Sequence, residues 1–120
     1  MITPLIISLA LAAAPAKTFP YPTKSTTLKN GLTVVRVPFD SPGLLAFYTV
    51  VRVGSRNEVE PGHTGFAHFF EHMMFRGTRR FPGGARGDVL GKLGFNGNAF
   101  TTDDVTVYLS NGPSSGLETL

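Results

Sequence analysis

An α+β fold, a mostly antiparallel sheet with helices packed on one face, is predicted by three features of the sequence. Asn30-Gly31 stands between two β-prone runs, Ser25–Lys29 and Leu32–Val37. Leu45, Phe47, Thr49, Val51 and Val53 then alternate with residues such as Tyr48 and Arg52. Beyond them the period changes, and Phe66, Phe69, Phe70 and Met73 recur at i, i+3, i+4 and i+7. Period two marks strands and period 3.6 marks a helix with one apolar face. Strands joined by short turns, with helices set apart from them, make an α+β layer.

Each element has its own local reason. Asn-Gly between β-prone runs is a two-residue hairpin signal. Pro38–Gly43 is turn-rich, and the third strand runs from Leu44 to Val53. Gly54–Gly62 is a polar loop closed by Pro61-Gly62. A helix is expected from about Gly65 to Phe75, with Thr64 as its N-cap. Arg76 in its last turn and Gly77 just beyond are C-terminal signals. Arg79–Gly87 reads as loop, and Asp88–Leu93 as a short second helix weakened by Gly91. Ala99–Thr102 and Val105–Ser110 read as two further strands, and Asn111-Gly112-Pro113 as a turn. Ser115-Gly116-Leu117-Glu118 has the capping-box pattern that opens a helix.

Composition narrows the function. The chain has 120 residues, 42% of them hydrophobic and ten of them Phe, enough for one small domain with a real core. Its net charge of +3 comes from eleven scattered Lys and Arg, with Arg79-Arg80 the one adjacent pair. No basic stripe with interleaved aromatics is visible, so no nucleic-acid partner is expected. With no cysteine, disulfides and thiolate metal sites are excluded, and any zinc ligand must be His, Asp or Glu.

Residues 1–16 read as an export signal. Leu5–Ala14 is an apolar stretch, and Ala14-Pro15-Ala16 is a small-x-small cleavage site before Lys17. The expectation is cleavage after Ala16 and a periplasmic or secreted mature chain. The stretch is shorter than the roughly 20 apolar residues a membrane span requires, so no stable span is expected.

Chemistry concentrates in His68-Phe69-Phe70-Glu71-His72, which holds two of the three histidines. At about 3.6 residues per turn, His68 and His72 stack one turn apart, and Glu71 falls with them within an arc of roughly 100°. Two neutral imidazoles so placed can share a zinc ion, and the carboxylate can reach a water beside it. The surrounding helix is mostly apolar, and two imidazoles and a carboxylate buried there without partners would cost several kcal/mol. A metal would supply the partner. His63 lies a turn and a half before His68, off the helix, and reads as a loop residue.

The stretch from Gly65 to Thr78, with its His-x-x-Glu-His order, resembles the zinc-site helix of pitrilysin-type (M16 family) metallopeptidases, the inverzincins. Leu28-Lys29-Asn30-Gly31-Leu32 is similar to that family's opening hairpin, and Gly54-Ser55-Arg56-Asn57-Glu58 to the segment before its helix. Asn98-Ala99-Phe100-Thr101-Thr102-Asp103-Asp104-Val105-Thr106-Val107-Tyr108 resembles its second signature, Asn-Ala-x-Thr-x-x-Asp-x-Thr.

The resemblance implies a zinc-dependent endopeptidase acting on peptides or small proteins. His68 and His72 would be zinc ligands and Glu71 the general base. Asn98, Ala99 and Thr101 would lie on the edge strand that holds a peptide substrate extended, and Asp104 would be a structural hydrogen-bonding residue. The family's third ligand, a glutamate, would fall past Leu120, so residues 17–120 are expected to be the N-terminal part of a peptidase domain. A second M16-type domain or subunit would close the site. Two other readings stay open: a non-catalytic binding or assembly subunit on the same fold, and an inactive truncated remnant.

Overall fold

The computed structural model describes residues 19–120, so the expected export signal lies outside the described residues. Two units are distinguished, divided between Asp40 and Ser41.

The first unit is a hairpin of β1 (Lys24–Thr27) and β2 (Thr33–Arg36), paired antiparallel from Lys24↔Arg36 to Thr27↔Thr33. Its turn differs from the expected two-residue form. Leu28 N–H donates to the Leu32 carbonyl at 2.8 Å, which leaves Lys29-Asn30-Gly31 as a three-residue loop. Only Gly31 has a positive φ, +86°. A two-residue type I′ turn would need Asn30 there too, whereas a three-residue loop needs one left-handed residue at its end. Asn30 stabilises the turn instead by accepting from Leu32 N–H at 3.1 Å through Oδ1. Phe19, Tyr21 and Phe39 stack edge-to-face along the same unit.

The second unit carries the candidate site. β3 (Leu44–Val51), β4 (Asn96–Thr101) and β5 (Thr106–Pro113) form an antiparallel sheet in the order β3-β5-β4. The register runs from Leu44↔Pro113 to Val51↔Thr106 on one side of β5, and from Asn96↔Asn111 to Thr101↔Thr106 on the other. Asn111-Gly112-Pro113, expected as a turn, is therefore strand. Its composition suggests a turn, but pairing with Leu44–Ala46 holds it extended. Proline is tolerated because β4 pairs with β5 only as far as Asn111, so at Pro113 one side of the strand has no ladder bond to lose.

Helix α1 (Phe66–Met74) lies against β4 and β5, and α2 (Ala85–Lys92) against β4. The α2 helix starts three residues earlier than the sequence suggests, behind Gly84. A short 3₁₀ turn spans Ser55–Asn57, and another spans Ser114–Thr119. The second is the expected helix start, but it has no side-chain cap and the Ser115–Glu118 box does not form.

The core is small and specific. Leu90, Phe95, Ala99 and Val107 are its buried apolar residues, with Thr106 and Ser110 buried between them. Phe95 is clasped by two glycines: a Cβ on Gly112 or Gly116 would come within 2.5 Å or 2.4 Å of its ring. Ser110, 2% exposed, has its hydroxyl satisfied by the Arg86 guanidinium at 3.3 Å. Most of β3 is exposed on both faces, including Phe47, Tyr48 and Val50. Among the described residues no helix is long and apolar enough to cross a membrane.

Candidate zinc-peptidase site

Helix α1 presents its site residues because its sequence fixes its start. Gly65 takes φ +85° at the N-cap and has no side chain to cap with, so the expected Thr64 cap is not formed. The cap comes from seven residues upstream. One oxygen of the Glu58 carboxylate accepts Gly65 N–H at 2.6 Å, and the other accepts Ala67 N–H at 2.7 Å. A carboxylate at a helix N-terminus satisfies orphan donors and meets the positive end of the dipole. The Ala67 N–H, then the Gly65 N–H, hold the Glu58 carboxyl below the usual range for glutamate.

Glu58 is itself anchored. The Ser55–Asn57 turn is sewn to the loop after β4: Ser55 N–H donates to the Thr102 carbonyl at 3.2 Å, and Arg56 N–H to that of Asp103 at 2.9 Å. The Ser55 hydroxyl donates to Asp103 at 2.8 Å, and Arg56 Nε to Asp104 at 2.6 Å. Asp104 thus serves as a structural hydrogen-bonding residue. Gly54 is required at this seam, since a Cβ there would lie 2.3 Å from the Thr102 carbonyl oxygen.

From this base, His68 and His72 bring their Nε2 atoms to 3.1 Å, with ring centroids 4.7 Å apart. Two nitrogens bound to one tetrahedral zinc at about 2.05 Å would stand about 3.3 Å apart. The imidazole pair therefore fits two corners of a zinc site. The described residues hold no group of three or more His, Cys, Asp or Glu arranged for a metal. Both imidazoles are solvent-exposed, whereas Glu71, between them in sequence, is 6% exposed.

Burial of Glu71 is made tolerable by Thr101. The Thr101 hydroxyl donates to Glu71 Oε2 at 2.6 Å, the short distance of a charge-assisted bond. Tyr108 is also close: burial, and then the Glu71 charge, push its phenol above the ordinary tyrosine range. A cleft beside the helix is lined by Phe69, Glu71, His72, Phe75, Arg76 and Asn98. Asn98 and Ala99 lie on β4, an edge strand of the described sheet, with Asn98 exposed and Ala99 buried. His63 stays in the loop before α1, exposed, with Nδ1 3.6 Å from Glu60 and its ring over Phe66.

The helix, its two imidazoles and the adjoining edge strand match a known family at the sequence level. Residues 46–120 fit the model of the insulinase family, peptidase family M16. The chain belongs to that family. Among its relatives, zinc protease PqqE of Helicobacter pylori is 36% identical over 96 residues, covering 79% of this chain and 21% of that protein. The mitochondrial-processing peptidase subunit beta of Neurospora crassa is 34% identical, covering 73% of this chain and 18% of that one. A crystal structure of a protease from Helicobacter pylori superposes with a TM-score of 0.77 at 36% identity, over 82% of this chain and 24% of its own. The chain spans about a fifth of the length of the curated relatives it matches.

Sequence reasoning missed two residues of this M16 site. Glu58 reads as loop because Thr64 stands nearer as a capping residue, and its one sequence signal is an acidic side chain shortly before a helix start. Tyr108 ends the stretch that resembles the second signature, but no sequence pattern gives it a role beside Glu71.

Proposed function

We propose that this chain supplies the N-terminal zinc-site portion of an exported M16 endopeptidase. The observation that carries the reading is the Nε2–Nε2 pair of His68 and His72 beside a buried, oriented Glu71. His68 and His72 would hold the zinc, with a carboxylate from outside residues 1–120 as the third ligand. Zinc, when bound, supplies a Lewis acid that acidifies water and polarises a peptide carbonyl.

The rest falls to the chain's own residues. Glu71 accepts the proton of the attacking water at a carboxylate oxygen and returns it to the leaving amine. The substrate peptide lies extended along β4, held through Asn98, Ala99 and Thr101 by main-chain hydrogen bonds. A second M16-type domain or partner subunit closes the site. The leader ends at Ala16, which sets the mature chain in the periplasm or outside the cell.

The deciding experiment is Glu71→Gln in the intact protein, assayed on internally quenched peptides with zinc content measured in parallel. The variant should keep its zinc and lose turnover by about 10²-fold or more. Undiminished, chelator-sensitive cleavage would remove Glu71 as the base. A wild type that binds zinc and cleaves nothing would favour a binding or assembly subunit.

A further inference from the structure

We infer that the Thr101 hydroxyl positions Glu71, a role separate from the main-chain hold on substrate proposed for β4. The inference rests on Glu71 being the base.

The Thr106 hydroxyl donates to the Val53 carbonyl at 2.9 Å, so its single proton is committed. Thr106 Oγ1 lies 3.3 Å from Thr101 Oγ1 and can only present a lone pair there. Thr101 therefore receives no proton from Thr106, and its own is free for Glu71 Oε2 at 2.6 Å. That bond occupies one carboxylate oxygen with a charge-assisted donor and leaves Oε1 for water. Thr106 is 5% exposed and fixed by the β4–β5 pairing, so the donor stands on a rigid support.

The geometry has a functional edge. Thr101 is the last residue of β4, the strand proposed to align the peptide. Its hydroxyl ties the base to the same strand that sets the position of the scissile bond. A peptide registered on β4 is thereby registered against Glu71, and an error of about 1 Å in such a placement can cost 10²-fold in rate.

The test compares Thr101→Val, Thr101→Ala and Thr101→Ser in the intact zinc-loaded protein. Loss of the hydroxyl in Val and Ala should lower kcat by about 10- to 100-fold, with KM within about twofold and zinc content unchanged. Ser, which keeps the donor, should stay within about threefold of wild type. A raised KM with unchanged kcat would instead make the Thr101 side chain a substrate contact and overturn the inference. Should Val fail to fold, the Ala and Ser pair carries the same decision. Crystal structures of wild type and Thr101→Ala give a readout independent of turnover. Glu71 should leave its wild-type rotamer in the variant, and an unmoved carboxylate refutes the positioning role even if no peptidase activity is ever found.

Discussion

Replacing Gly54 by Ala sets two opposed effects against each other at the seam that anchors the site. The backbone there is extended, with φ −155° and ψ −169°, which alanine adopts without strain. In open space the change would therefore stabilise by about 0.4–1 kcal/mol, because the unfolded chain loses freedom. The space is not open. The new Cβ would meet the Thr102 carbonyl oxygen at 2.3 Å and backbone atoms of Asp103 at 2.6 Å, all rigid neighbours. Restoring normal contact needs a separation of about 1 Å, which carries the Ser55–Thr102 and Arg56–Asp103 bonds, now 3.2 and 2.9 Å, out of hydrogen-bonding range. Two such bonds contribute about 1–3 kcal/mol together.

The expected net loss is about 1–2 kcal/mol. Urea denaturation followed by far-ultraviolet circular dichroism measures it. At a slope of about 2 kcal/mol/M the midpoint should fall by roughly 0.5–1 M, with the slope itself unchanged. A midpoint equal to or above wild type would show that the seam yields freely and does not fix Glu58.

Further outcomes follow from the same structure. His68→Ala or His72→Ala should lose zinc, read by metal analysis after dialysis, since one imidazole cannot replace a pair; retained stoichiometric zinc would contradict the ligand assignment. Glu58→Gln should destabilise the protein near neutral pH, because an amide offers one oxygen where two N–H groups were accepted. The Glu58 charge is the form the fold prefers, so its advantage is present above the unfolded carboxyl pKa of about 4.3 and is lost as pH falls through the lower folded value. Wild type and variant stabilities should converge below that point, and a constant gap down to pH 2 would point to packing instead. Gly116→Ala should cost about 1–3 kcal/mol, because its methyl would meet the Phe95 ring at 2.4 Å. An unchanged melting temperature would mean that Phe95 has room to move.

What could be read from the sequence divides by range along the chain. The site helix was legible because its signals are local: the 3.6-residue period, the His68–His72 spacing and Gly77 all lie within one short stretch. The cap was not, because Thr64 is the nearest capping residue in sequence while Glu58 is the one that reaches the N–H groups. Thr101 was visible as a strand residue of the second signature, but its bond to Glu71 crosses 30 positions and has no sequence pattern of its own. The hairpin was found and its turn misjudged, since Asn-Gly suits two loop geometries and the Leu28–Leu32 pairing selects between them. Asn111–Pro113 misled for the same reason, as residues that favour turns were held straight by a partner almost seventy positions earlier.

That long-range pairing governs when the site comes into being. Strand β3 pairs with β5, and both helices and β4 lie within the loop these two strands close. A nine-residue helix is only marginal alone, so α1 has little reason to persist before its sheet is assembled. About 40 residues separate the end of α1 from the end of β5. Under the proposed function, zinc capture would follow closure of the sheet rather than precede it.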